Sequence, residues 1–336
     1  MSRVRWGVLG AANIAVRQVI PAIRLSRHGE VTALASRDAT RARTVAAELG
    51  VPTACGSYDE LLARADVDAV YIPLPNHLHV PWSIRALEAG KHVLCEKPIA
   101  LNATEARTLL DASRAHPRLK VMEAFMYRFH PQWVRVQELV HEGAIGTLQA
   151  VESRFTYLND DPANVRNIAA MGGGALMDVG CYGISVARLM FDDEPVRVLA
   201  HMDYDPRFGT DRLTSAVLDF GGGTTATFTC ATQLEPSQHA EIVGTDGRIE
   251  VEIPFNAPSD RPRRVRVLRG AWIEDIVLET CNQFTLQADA FAQAVRTDGP
   301  VPTPLADGVA NMGVIDAVVE SAQAGSWVGV ATPVSG

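Results

Sequence analysis

Short apolar runs alternate with helical periodicity through the first third of the chain. Val4–Leu9 is apolar and ends at Gly10, after which Ile14, Val19 and Ile23 share one helix face. That pattern is a strand, a tight turn and a helix. A second apolar run over 31–35 leads to Asp38, an N-cap residue, and then to a helix with Val45 and Leu49 inward that stops at Gly50 before Pro52. Ser57-Tyr58-Asp59-Glu60 has the form of a capping box, and Asn102-Ala103-Thr104-Glu105 repeats it with Asn as the cap. Between these helices the pattern predicts strands at Ala69–Ile72, His92–Cys95 and 120–124. Alternation of this kind forces parallel pairing through right-handed crossovers, so the predicted fold class is α/β, with an N-terminal doubly wound Rossmann sheet.

The pattern changes after Ala124. A helix opens at Pro131, a residue suited to the first helical position, and runs to about Gly143. Alternating runs follow at 148–157, 196–202, 212–220, 224–232, 240–243 and 248–253, with turn signals at Gly221-Gly222-Gly223 and Thr245-Asp246-Gly247. They predict a large, mostly antiparallel sheet in an α+β domain, one face covered by the helix that carries Asp178. The expected division is 1–124 and 125–336. Val151 and Phe155 are expected on the opposite face, where a homodimer or homotetramer would bury them.

A chain of 336 residues with 47% hydrophobic and 21% charged residues supports two soluble cores. Its net charge of −8 argues against nucleic acid or an anionic membrane as a partner, so any phosphate is bound locally. The five cysteines are scattered singly, without a metal-ligand spacing, which predicts a reduced, cytoplasmic protein with no metal site. No apolar stretch reads as a signal peptide or a membrane span.

Candidate chemistry starts at the first turn. Gly10, Ala12, Asn13 and Ile14 occupy the dinucleotide-binding frame, reading G-x-A-x-x-A where the fingerprint has G-x-G-x-x-G. The alternative is a plain strand-to-helix turn. The second strand ends in Ser36 and Arg37, with Arg41 one turn on, where an NAD site places a carboxylate; a hydroxyl and two guanidiniums suit a 2′-phosphate, so NADP is expected. Asp38 as a ribose ligand, and a solvated face for the arginines, stay open. Glu96-Lys97-Pro98 follows a strand at the sheet edge where α/β folds bind ligands. Asp178 and Tyr182, four residues apart, share a helix face after Gly172-Gly173-Gly174, a flexible lead-in. They are either substrate groups or a half-buried aromatic and a dipole-favoured carboxylate.

Together these residues suit hydride chemistry on a hydroxyl or carbonyl carbon. Lys97 would hold the developing alkoxide charge and favour a deprotonated Tyr182 as general acid/base, or carry the proton itself if the geometry differs, with Asp178 orienting the substrate. Pro73 and Leu74, at the end of a strand, are cofactor candidates; Asn76 and His79 after them are candidates to line the nicotinamide ribose, with a solvated loop histidine as the alternative for His79. Glu123 ends another strand and is a cofactor candidate or a support for the next helix. Arg166 is a candidate for a carboxylate, phosphate or cofactor contact, or a surface residue.

With the nucleotide turn, Pro73-Leu74-Pro75-Asn76-His77-Leu78-His79 and Glu96-Lys97-Pro98 in order, the chain resembles the Gfo/Idh/MocA family, over nearly its whole length. The resemblance implies a Rossmann domain followed by an α/β domain whose sheet often mediates oligomerisation. It implies that Lys97 lies beside the nicotinamide and the substrate hydroxyl. A family D-x-x-x-H pair falls on Asp178 and Tyr182, with tyrosine in place of histidine, similar to the glucose-fructose oxidoreductase, dihydrodiol dehydrogenase, NADP xylose dehydrogenase and sugar ketoreductase branch. The expected function is NADP-dependent oxidoreduction of a sugar, keto-sugar or cyclic polyol; the alternatives are trans-dihydrodiol oxidation and non-catalytic NADP sensing.

Overall fold

The computed structural model describes residues 2–331. They split into two compact units, one running to Met126 and joined by Asn282–Val309, the other Tyr127–Cys281 joined by the chain from Ala310 onward. The expected cut after 124 lies two residues early, and it misses the return of 282–309 to the first unit. Packing explains the return. A helix over Gln283–Thr297 buries Phe291 and Ala288, and the Phe291 ring lies 5.4 Å from Trp6. Asp289 of that helix also accepts the backbone N–H groups of Arg27 and His28 at 2.9 and 3.1 Å.

In the first unit, strands β1 (Val4–Leu9), β2 (Gly29–Ala35), β3 (Thr53–Cys55), β4 (Ala69–Ile72), β5 (His92–Cys95) and β6 (Val121–Glu123) form one sheet in the order β3-β2-β1-β4-β5-β6. Every pairing is parallel. This is the doubly wound order, with a topological switch point between β1 and β4. The β4 residues are all buried, as a strand covered on both faces requires. Register aligns Ile72 with Cys95 and Cys95 with Glu123, so three strands end together. The segments after β4 and β5, carrying Pro73 and Glu96-Lys97, therefore leave the sheet side by side.

Helices α1 (Ile20–Leu25), α2 (Ala39–Leu49), α3 (Tyr58–Leu62), α4 (His79–Glu88) and α5 (Ala103–Arg114) fill the crossovers. A π-helical turn over Ala15–Val19 precedes α1. Asp38 caps α2 as expected, accepting the N–H groups of Thr40 and Arg41 at 2.8 and 3.1 Å. Gly50 closes that helix in the left-handed conformation, φ 62°. Ser57 and Asn102 cap α3 and α5, while Glu60 and Glu105 accept from Gly56 and Leu101, one residue ahead of each cap.

In the second unit α6 (Pro131–His141) starts at Pro131 as predicted, and α7 (Cys181–Phe191) follows a π-helical turn over Leu176–Gly180. The sheet contains β7 (Leu148–Leu158), β8 (Arg197–Tyr204), β9 (Asp211–Gly221), β10 (Thr224–Ala231), β11 (Gln233–Gly244), β12 (Arg248–Val251), β13 (Arg263–Arg269), β14 (Trp272–Leu278) and β15 (Val328–Gly329). Their order is β14-β13-β12-β11-β7-β10-β9-β8-β15, antiparallel except for the β7–β10 pair. Val151 and Phe155 do not face outward as expected. Both are buried on the α7 side, where a Cβ on Gly183 would meet Phe228 Cβ at 2.8 Å and Ser153 Oγ at 2.9 Å. The opposite face presents the exposed residues Glu152, Arg154 and Thr227. By composition Ala169–Phe191 is long and apolar enough to span a membrane, contrary to the sequence expectation, but 78% of that window is buried, as befits a core helix.

The Asp38 cap supplies a simple test of the first unit. Asp38→Ala should lower its unfolding free energy by about 1 kcal/mol in urea titrations, because two amide donors of α2 lose their acceptor.

Candidate active site

The segment from Glu96 to Ile99 is held by side chains from three directions. Tyr71, fully buried in β4, donates its hydroxyl to Glu96 Oε1 at 2.5 Å. The Ile99 N–H donates to Glu123 Oε1 at 2.8 Å. The His79 ring places Nδ1 2.7 Å from the Pro98 carbonyl and Nε2 2.7 Å from the Leu74 carbonyl. Glu96 N–H also reaches the Ile72 carbonyl at 3.1 Å. Lys97 sits within this framework, half-buried.

Two expectations are corrected here. His79 was expected to line the nicotinamide ribose and Glu123 to touch cofactor, yet His79 is 0% and Glu123 2% exposed, and both bond the backbone around Lys97. Burial pulls the His79 imidazole down to about 4, against the opposing pull of its two carbonyl partners. Pro73 and Leu74 are likewise buried, while Asn76 keeps some surface in the short turn before α4.

At the first turn Gly10 adopts φ 123°, a conformation open to glycine, and donates to the Ala35 carbonyl at 2.9 Å. A Cβ there would lie 3.0 Å from Leu74 Cδ2. Ala12, Asn13 and Ile14 retain accessible surface where the helix begins. Arg41 donates to the Ala11 carbonyl at 2.8 Å and so ties the start of α2 to this turn. Ser36 is buried, its Oγ accepting the Asp38 N–H at 3.2 Å, whereas Arg37 is exposed. Burial raises the Tyr58 hydroxyl pKa and the positive charge of Arg37 opposes that rise. Asp38, the alternative ribose ligand, spends one carboxylate oxygen on the α2 cap. These residues fit a nicotinamide dinucleotide: a close-approach glycine, a helix start and an exposed guanidinium at the end of β2.

In the second unit Asp178 and Arg166 come together. Asp178 Oδ2 accepts from Arg166 Nε at 2.7 Å and from the Tyr157 hydroxyl at 2.6 Å. Arg166, a candidate for a carboxylate, phosphate or cofactor contact, commits its Nε to the Asp178 carboxylate, whose charge raises the guanidinium pKa further. Burial, then the Asp178 charge, pushes the Tyr157 phenol up, so it is a hydrogen-bond donor at neutral pH. Tyr182 is buried to 4% exposure, its ring 5.2 to 5.7 Å from those of Phe255, Phe155 and Tyr127. The π-turn under Asp178 departs from the uniform helix expected, and such turns are frequent at functional sites.

The three glycines before this turn are not merely flexible. A Cβ on Gly173 would lie 2.4 Å from the Arg166 carbonyl, and one on Gly174, φ 122°, would lie 2.0 Å from Asp211 Oδ1. Asp211 is buried and accepts the Leu176 N–H at 2.8 Å and the Thr214 hydroxyl at 2.7 Å, which anchors the start of the Asp178 helix. Tyr71, Tyr157 and Asp211 escaped the sequence reading because each lies within a strand and reads as ordinary sheet. Only the polarity of Asp211 at a strand start was a visible signal.

The family model described as "Oxidoreductase family, NAD-binding Rossmann fold" matches residues 4–125, and that of the GFO/IDH/MocA C-terminal domain matches 133–250. The chain belongs to the GFO/IDH/MocA oxidoreductase family. Among family relatives, it is 46% identical over 332 residues to an uncharacterized oxidoreductase of Rhizobium meliloti, covering 97% of this chain and 99% of the relative. It is 40% identical to a D-xylose 1-dehydrogenase (NADP(+)) of Haloferax volcanii, covering 96% and 98%. A 3-ketoreductase from Actinomadura kijaniata, solved with NADP and TDP-benzene, superposes with a TM-score of 0.88 at 34% identity, covering 95% and 98%. That ketoreductase has also been solved with a lysine changed to alanine or glutamate and with a tyrosine changed to phenylalanine.

Two measurements test this local architecture. Gly174→Ala should cost at least about 2 kcal/mol in chemical denaturation, since it adds strain and a collision together. His79 and His130 are both pulled by burial to about 4. The unfolded chain binds protons that these folded imidazoles refuse, so unfolding free energy should fall as pH drops from about 6.5 towards 4, by up to about 1.4 kcal/mol per pH unit for each ring. Urea titrations at a series of pH values read this directly, and His79→Gln should remove one ring's share.

Proposed function

We propose that this protein is an NADP-dependent oxidoreductase that moves hydride to or from a hydroxyl-bearing carbon of a sugar or keto-sugar. The observation that carries the reading is the triple hold on the Glu96-to-Ile99 segment, which fixes the Glu96 side chain before Lys97 and the Pro98–Ile99 peptide after it. The xylose dehydrogenase and ketoreductase relatives support the substrate class and the cofactor. NADP, when bound, supplies or accepts the hydride. Gly10 and the helix starting after Ala12 would receive the pyrophosphate, and Arg37, with Arg41, the 2′-phosphate.

The remaining chemistry belongs to side chains. The Lys97 ammonium stabilises negative charge on the substrate oxygen, and Tyr182 carries the hydroxyl proton. Asp178, positioned by Arg166 and Tyr157, accepts a hydrogen bond from a neighbouring substrate hydroxyl. We also propose that the chain works as a homodimer or homotetramer, with the outward face of the β7–β10 region meeting a second copy. That face is polar at Glu152, Arg154 and Thr227, with Leu158 exposed at the end of β7.

A panel of sugars and diols with NADP, followed at the nicotinamide absorbance, tests the assignment. Turnover of at least one sugar is expected, and a fully inactive but NADP-binding wild type would favour a sensor instead. Lys97→Ala should lower kcat/KM by about 10³-fold and Tyr182→Phe by about 10²-fold. The double variant should lose far less than the product if the two groups serve one step. Arg37→Ala should weaken NADP about tenfold and leave NAD unchanged, as loss of one phosphate contact implies.

A further inference from the structure

We propose that His79 is a positioning residue for Lys97, acting through a hydrogen bond from its Nδ1–H to the Pro98 carbonyl. The ring is wholly buried at the first residue of α4 and meets two backbone carbonyls, each at 2.7 Å. One carbonyl, Leu74, belongs to the segment after β4, and the other, Pro98, is one peptide beyond Lys97 after β5. These strands are neighbours paired from Ala69–His92 to Ile72–Cys95, so the ring lies between two segments that leave one sheet edge together.

Packing alone does not account for this ring. A buried apolar side chain would fill the same volume with no donor, whereas the ring N–H can satisfy one of the two buried carbonyls it faces. Neutral imidazole has one N–H, and the proposal places it on Nδ1, towards the lysine side. The titratable side chains that act on the ring are those of Lys97 and His77. The N–H of that same Pro98–Ile99 peptide donates to Glu123. With both ends of this peptide held, the segment directly after Lys97 has little freedom to shift, and displacements of about 1 Å cost catalysis on the order of 10²-fold.

Two variants separate positioning from packing. In His79→Asn the amide nitrogen stands where Nδ1 stood and reaches Pro98. In His79→Gln it stands where Nε2 stood and reaches Leu74, with a volume closer to histidine. Packing therefore favours Gln, and positioning favours Asn. We expect kcat for His79→Asn within about threefold of wild type and for His79→Gln reduced about 10- to 100-fold, with NADPH affinity by fluorescence little changed in both.

The kinetic arm rests on the catalytic role of Lys97; two further readouts do not. The acetylation rate of the Lys97 amine by an N-hydroxysuccinimide ester, followed by peptide mass spectrometry, should match wild type in His79→Asn and differ in His79→Gln. In the wild-type protein, nitrogen NMR of isotope-labelled histidine should show Nδ1 protonated at neutral pH. A bare Nδ1, or a His79→Gln protein whose Lys97 reacts as in wild type, overturns the proposal even if sugar turnover is confirmed. If no sugar is turned over but the labelling and NMR results hold, the positioning stands and the catalytic reading fails.

Discussion

The structure of the first unit depends on how four residues, Glu96 to Ile99, are held after β5. Three parallel strands end in register, which delivers the following segments to one edge, but strand register alone does not fix a side chain. The hold comes from hydrogen bonds to Glu96 Oε1, the Pro98 carbonyl and the Ile99 amide, made by Tyr71, His79 and Glu123. All three partners are buried, so the bonds form away from competing water and removing one leaves a buried polar group unsatisfied. A lysine has four rotatable side-chain bonds; fixing its backbone is the part of the ordering that the fold can do before ligand arrives.

The second unit solves the same problem with a helix instead of a strand end. Asp178 enters on a π-turn whose first amide is caught by Asp211, and glycines at 173 and 174 let the chain pass where any Cβ would collide. Its carboxylate then receives Arg166 and Tyr157 on one oxygen. Tyr182 lies one turn on, with aromatic rings around it. Charge, hydrogen bonding and packing each fix a different degree of freedom, which is what a preorganised polar site in a low-dielectric interior requires.

Much of this was legible in sequence because it is local. β1, β4 and β5 fall at Val4–Leu9, Ala69–Ile72 and His92–Cys95 as the apolar runs predict. The caps at Asp38, Ser57 and Asn102 follow from side chains that bond their own backbone within three residues. β13 and β14 did not announce themselves: in Arg263–Arg269 only Val265 and Val267 are buried apolar residues among four arginines, and Trp272–Leu278 is exposed along most of its length. The orientation of Val151 and Phe155 was also beyond reach, because alternation identifies two faces of a strand but not which one the helix covers.

The linear pattern by itself determined the two architectures, the nucleotide-binding order of the first unit and the identity of the chemically capable residues, since periodicity, turn chemistry and capping act over a few positions. Tertiary structure alone decided what those residues do. His79 and Glu123 became backbone clamps, Arg166 became the partner of Asp178, and residues 282–309 returned to the first unit. Each of these outcomes rests on a contact between residues far apart in the chain, whose free energy depends on burial and geometry that no local pattern encodes.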